Sequence, residues 1–211
     1  MIAHRRAPGV LAALALGGGL AACVTVFPKS KPAQLYSFGE TPPAAPASPG
    51  GAPVVVMRIP TVFADAAGGD RMLTVSGHEA AYIADARWVS PAADLFDEAE
   101  AQAFGVNGPV RLVRRGDQAG ASLTLRLEVQ RFEARYVHGR QGAPTVVVTV
   151  TGQLARPADR RILAVQAFTA EKPAAENRVG AIVEAYDAAV SDVLGQVTAW
   201  TAKATAAPTQ P

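Results

Sequence analysis

The chain has 211 residues, 49% of them hydrophobic and 18% charged, which reads as a globular protein and excludes a disordered, collagen-like or polytopic membrane chain. Aromatics make up only 6%, against 19 Gly and 16 Pro, so the core must be built from Val, Leu, Ile and Ala, and a base-stacking surface for nucleic acid is disfavoured. The formal charge of +2 vanishes once Arg5 and Arg6 are set aside, leaving no general pull on nucleic acid or anionic lipid, and a single cysteine rules out a disulfide framework or a Cys-based zinc site.

Residues 1–22 combine a basic start (His4, Arg5, Arg6), an apolar run from Val10 to Leu16 and the small residues Gly17 to Ala22, the grammar of a secretory signal. The apolar run is too short and glycine-rich for a membrane span, which needs about 20 apolar residues. Leu20-Ala21-Ala22-Cys23 resembles a bacterial lipobox, in which a branched and two small residues precede a diacylglycerylated cysteine. The expectation is cleavage before Cys23, a covalent N-acyl diacylglycerol on its sulfur and amino group, and a lipidated tether over residues 23–33. Two or three acyl chains, at about 0.8 kcal/mol per buried methylene, hold a protein to a bilayer essentially permanently. The bland alternative is an ordinary signal peptide, with Cys23 a free thiol. Val24 stands where an Asp commonly retains lipoproteins at the inner membrane, so by resemblance to sorting rules the periplasmic face of the outer membrane is favoured.

A folded domain is expected over residues 34–203. Leu35 to Phe38 reads as an edge strand, and the Pro-, Ala- and Gly-rich stretch 41–53 as an extended loop, lacking amide donors and large apolar side chains. Val54 to Ile59, closed by Pro60, reads as a buried strand; Met72 to Ser76 and Ala80 to Ile83 are two more, turning at Gly77-His78. Ser90-Pro91 predicts a helix start, Ser90 as cap and Pro91 in the first helical position. Ala92, Leu95, Phe96, Ala99 and Ala103 form its apolar face, with Asp94, Asp97, Glu98 and Glu100 on the other side and an end near Gly105.

Leu123, Leu125, Leu127 and Val129 alternate with polar residues, and the apolar phase then moves to Phe132, Ala134 and Tyr136, which predicts a bulged strand. Strands from Val146 and over Ile162 to Phe168 complete a β-meander. Val179, Ile182, Val183, Tyr186, Val190, Val193, Leu194, Val197 and Trp200 trace one stripe of a long helix, and residues 204–211 read as a disordered tail. Two amphipathic helices packed on some six or seven strands, mainly antiparallel, predict an α+β two-layer domain.

No catalytic constellation emerges. His78-Glu79-Ala80-Ala81-Tyr82 begins like the zinc-protease motif but places Tyr82 where the second histidine is required. His78 and His138 both read as turn residues. Asp97, Glu98 and Glu100 read as a solvated helix face, and Arg114-Arg115 and Arg160-Arg161 as strand-end or turn charge. No metal or cofactor-binding residues are expected.

Arg58-Ile59-Pro60, Asp70-Arg71-Met72-Leu73-Thr74-Val75, the run Tyr82 to Leu95 containing Arg87-Trp88 and Pro91, and the Leu123 to Phe132 strand together resemble the auxiliary lipoprotein family of ABC-type transport systems, the PqiC-like family. The resemblance implies a non-catalytic periplasmic component. Its partners would be an MCE-domain protein, an ABC permease and an ATPase, moving lipid between inner and outer membranes. It leaves open a homo-oligomeric ring. Asp70, Arg71, Arg87, Trp88 and Pro91 are its motif residues; Trp88 is expected to plug the sheet–helix junction and Arg71 to satisfy carbonyls at a turn. Two other functions are kept: a periplasmic lipid carrier with an apolar cavity lined by Phe168, Tyr186 or Trp200, and an envelope assembly factor activating a cell-wall synthase.

Overall fold

The computed structural model describes residues 32–40, 52–105, 108–117 and 120–206. The lipobox (Leu20, Ala21, Ala22, Cys23), the tether up to residue 31, positions 41–51 of the Pro-rich loop and the tail from 207 lie outside the described residues.

The elements in chain order are β1 (Gln34–Tyr36), β2 (Val54–Arg58), β3 (Val62–Phe63), β4 (Arg71–Ser76), β5 (Glu79–Trp88), α1 (Ala92–Phe104), β6 (Val110–Val113), β7 (Leu123–Tyr136), β8 (Thr145–Arg156), β9 (Arg161–Pro173) and α2 (Val179–Ala206). The strands form one mixed sheet of nine, more than the six or seven expected. The two extra strands are β3, only two residues long, and β6, four residues between turns. Both are too short to show a period of two.

The 14-residue β7 is the spine of the sheet. Along one of its sides run β2, β3 and β4 in succession, each parallel to it. On its other side the antiparallel meander β7–β8–β9 supplies the longest ladders. Beyond β4 lie β5 and then β1, and beyond β2 lies β6. Edge strands are therefore β1 and β6 on one side and β9 on the other.

The predicted change of phase in β7 is a register shift between Val129 and Arg131. It keeps Leu125, Leu127 and Val129 before it and Phe132 and Ala134 after it on the buried face. Without the extra residue the second half of the strand would turn its apolar set to solvent.

Both helices behave as amphipathic elements should. Ala92, Leu95, Phe96, Ala99 and Ala103 of α1 are buried, and so are Ile182, Tyr186, Val190, Val193, Leu194 and Val197 of α2. Val179, Val183 and Trp200 are only partly covered. α2 packs on β8 and β9 and touches α1, and it runs to Ala206, past the boundary expected at residue 203. Thr198, Thr201 and Thr205 return their hydroxyls to carbonyls three or four residues back, so these polar residues cost the last turns no unpaired group.

The start of α1 differs from the expected cap. Pro91, not Ser90, is the cap residue, and no side chain closes the helix end. The free amides of Ala92 and Ala93 instead donate to the carbonyls of Gly69 and Gly68, at 3.0 and 3.2 Å. A tertiary contact replaces the local side-chain cap.

Candidate functional site

The motif residues gather where β5 hands over to α1. Asp70, just before β4, accepts Arg87 Nη1 on both carboxylate oxygens at 3.0 and 2.9 Å, and its carbonyl accepts the Trp88 amide at 2.8 Å. Val89 donates in turn to the Tyr36 carbonyl at 2.8 Å, so one short stretch stitches together the start of β4, the end of β5 and β1. Arg71 does not reach turn carbonyls as expected. Its guanidinium lies over the Tyr82 ring, 4.0 Å from the centroid, and Tyr82 Oη donates to the Ala66 carbonyl. Trp88 does plug the junction. It is 2% exposed, with its ring 4.9 Å from Phe38 and 5.2 Å from Tyr186, both edge to face. Its indole N–H is buried without a partner. Trp88 is enclosed by these contacts, while the Arg87–Asp70 pair stays close to half exposed.

The polar constellation with unusual electrostatics lies elsewhere. Arg58, at the end of β2, forms ion pairs with Asp97 and Glu100 of α1; Nε reaches Glu100 Oε2 at 2.5 Å, and the Thr61 hydroxyl donates to the same oxygen at 3.3 Å. Glu100 is fully buried, contrary to its expected place on the solvated face. The signal was there to be read: Glu100 follows Phe96 by four and precedes Ala103 by three, which puts it on the apolar stripe. Burial pushes its carboxyl up to about 7 despite the opposing pull of Arg58. Burial also opposes the Arg58 charge, but the two carboxylates outweigh it and hold the guanidinium above its ordinary value. A groove of about 540 Å³ opens beside this staple, lined among others by Arg58, Asp94, Asp97, Arg114 and Arg115. Within its lining Arg58 pairs with Asp97, and with Glu100 behind them this staple joins β2 to α1.

A second surface groove, about 580 Å³, runs along α2 beside the end of β1 and is lined by Ser37, Glu40, Lys172, Asp187 and Asp192 among others. Asp187 Oδ1 accepts the amides of Gly39 and Glu40 at 2.6 and 3.0 Å, fixing the point where the chain leaves β1 for the Pro-rich stretch. Nothing in the sequence singled out Asp187, because its partners are backbone amides 147 and 148 residues away.

Among the described residues, aromatic rings pack through the apolar interior. Phe38, Phe63, Phe96, Trp88, Phe132 and Tyr186 form one chain of ring contacts, with centroid separations between 4.8 and 6.3 Å. Tyr186 and Phe168 belong to the core, and Tyr186 Oη donates to the Leu73 carbonyl at 3.2 Å. Trp200 is partly exposed but rests on Phe168, 5.5 Å between centroids, and over Gly152. A small gap among Phe104, Val110 and Thr198 measures about 10 Å³, the room of a single water. Among the described residues no group of three or more His, Cys, Asp or Glu is placed to hold a metal ion, and no helix is long and apolar enough to cross a membrane. His78 and His138 lie in turns, as expected.

Comparison with known proteins agrees with this architecture. The family model described as "ABC-type transport auxiliary lipoprotein component" matches residues 36–198. Among solved structures, protein XCC0632 from Xanthomonas campestris is similar at 22% identity with a TM-score of 0.72, covering 82% of this chain and 97% of its own. Protein CT253 from Chlamydia trachomatis is similar at 10% identity with a TM-score of 0.50, covering 74% of this chain and 99% of its own. These likenesses speak to the fold. A search of curated proteins gives no match.

Proposed function

The chain belongs to the family of ABC-type transport auxiliary lipoprotein components, and from that premise we propose that it is the non-catalytic docking component of an MCE-type lipid transport system. An acylated Cys23 anchors it at the periplasmic face of the outer membrane, and the α+β domain receives the periplasmic end of the MCE-domain protein, whose permease and ATPase stand at the inner membrane. Supported by tether arithmetic, the MCE protein supplies most of the span: the dozen residues from Cys23 to Leu35 reach only about 40 Å when fully extended.

The observation that favours the docking role over lipid carriage is the aromatic packing of the described core. A carrier needs an apolar cavity of several hundred Å³. The space between sheet and helices holds the ring chain of Phe38, Trp88, Phe132 and Tyr186, and the larger grooves at the surface are lined with charge.

Crosslinking of the lipidated protein in its native envelope, followed by mass spectrometry of what it retains, tests the proposal. Recovery of an MCE-domain protein with its permease is expected. A sample dominated by a cell-wall synthase assigns the chain to envelope assembly, and co-purified lipid in native mass spectra without an MCE protein assigns it to carriage; either overturns docking.

A further inference from the structure

Seven large apolar side chains are exposed among the described residues, and three of them, Ile162, Leu163 and Val165, fall within four positions at the start of β9. The other four, Leu35, Val62, Val89 and Val137, are scattered along the chain and call for no explanation. Directly before the three come the exposed turn of the β8–β9 hairpin, Pro157 to Arg160, and Arg161. The pairing shifts here: Ile162 stands opposite Ala155 and Ala164 opposite Leu154, which leaves Leu163 as the extra residue of a bulge. Gly152 lies under Trp200 and Leu154 is buried with it on the helix side. Ile162 and Val165, opposite Ala155 and Gln153, therefore point to the other face of the sheet. Arg126 of β7 also pairs with Gln153, so it stands in the same row as Val165.

The charge of the hairpin end has one sign. Asp159 is the one acid between Gly152 and Ala170. It is already engaged, by Arg156 at 3.4 Å and by the Arg161 amide at 3.2 Å. Arg160 and Arg161 form no ion pair among the described residues. We infer that this end of the hairpin rests on an anionic phospholipid surface, with Arg160 and Arg161 at the headgroup phosphates and Ile162, Leu163 and Val165 at the acyl boundary. Two spare cations and three branched side chains hold a bilayer only weakly. The contact therefore orients a domain that the acyl chains already keep beside the surface, where its effective concentration is high. The geometry allows this. The tether to Leu35 reaches about 40 Å and the 13-residue β9 is about 44 Å long, so anchor and hairpin end can meet one bilayer.

The anchor is taken from the function proposed above, so the test reads the contact without it. The mature chain carrying Cys23→Ala is mixed at low salt with vesicles of phosphatidylethanolamine and phosphatidylglycerol, or of phosphatidylcholine alone, and the bound fraction is measured by sedimentation. Partition into the anionic vesicles only is expected, and it should fall as salt rises. Arg160→Ser with Arg161→Ser should lower it about 30-fold, and Ile162→Ser with Val165→Ser about ten-fold. Arg140→Ser, beyond the opposite end of β8, should leave it unchanged. These side chains are exposed, so an unchanged thermal melt separates lost contact from lost folding. In the lipidated protein the Cys23 sulfur is blocked, and a thiol-reactive fluorescent probe reports on an added cysteine alone. On the anchored protein the probe at Ile162→Cys should shift to the blue and be quenched by brominated lipid, while at His78→Cys, at the other end of the sheet, it should do neither. Equal partition into both vesicle types, partition indifferent to the hairpin variants, or an Ile162→Cys probe that stays in water overturns the proposal. A probe shift that needs only a higher protein concentration, or only a transport partner, overturns it as well and assigns the hairpin end to a second copy or to that partner. Acyl mass missing from Cys23 removes the anchor and leaves the vesicle titration to decide the contact.

Discussion

Glu100 is the residue at which burial and charge conflict most directly. Its carboxyl titrates near 7 in the folded protein against 4.5 for the free group, with burial as the main cause. Between those pH values the folded state holds a proton that the unfolded chain has lost. Stability tied to this group is therefore fully present below pH 4.5 and declines as pH rises through 7, by a few kcal/mol. Urea unfolding at pH 5 and pH 8 should show that decline in the wild type and its flattening in Glu100→Gln; equal slopes would contradict the account. The partner is the more vulnerable half of the staple. Arg58→Met leaves the Glu100 carboxylate buried beside Asp97 with no counter-ion, and a cost of about 3–5 kcal/mol is expected at pH 8, measured as a fall in unfolding free energy. At pH 5 the cost should shrink because Glu100 is then neutral. By contrast, the Arg87–Asp70 pair is close to half exposed, and Arg87→Ala should cost no more than about 1 kcal/mol.

At the scale of elements, legibility followed length and period. The meander, the bulge in β7 and the long stripe of α2 carried enough repeats to be read directly, and each appears where its pattern predicted. β3 and β6 carried none, because two to four residues beside a longer strand are held by that strand's ladder and not by their own pattern. The start of α1 departs from its local signal for a related reason: its amides are closed by Gly68 and Gly69, and sequence around Ser90 cannot show a cap supplied from another turn. The same tertiary logic makes two glycines sensitive. Gly39 adopts φ +84, and a Cβ there would stand 2.8 Å from that of Ala99, so Gly39→Ala both strains the backbone and pushes α1 away. Gly152 has ordinary backbone, but a Cβ would meet Trp200 at 3.0 Å and Phe168 at 3.3 Å. Gly152→Ala is expected to cost about 1–3 kcal/mol by overpacking, and Trp200→Leu in the same chain should recover part of it. Additive losses in thermal melts of the single and double variants would show that the two do not touch.

For the whole molecule, the proposed acyl site at Cys23 and the folded domain are separate parts of the sequence, and each is tested by itself. Family motifs identify the architecture better than a site: Asp70, Arg87, Trp88 and Pro91 meet where β5 hands over to α1 and Arg71 covers Tyr82 further back on β5, while Arg58 is visible in sequence only as part of a family pattern and Glu100 lies on the face opposite to the expected one. The lipobox is a different kind of signal: a processing signal leaves no trace in packing, so it must be tested chemically. The second of the two units of the chain runs from Ala33 onward and owes its core to side chains from Phe38 to Val197. Removing the acyl site should therefore change where the protein resides and not whether it folds. Cys23→Ala is expected to move the protein from the membrane pellet to the soluble fraction and to lower its mass by the acyl groups. The thermal midpoint of the domain should stay within about 2 °C, since the core is built from side chains between Phe38 and Val197. Pellet association unchanged in high salt and in Cys23→Ala would mean that the domain surface itself, and not two or three acyl chains, holds the membrane.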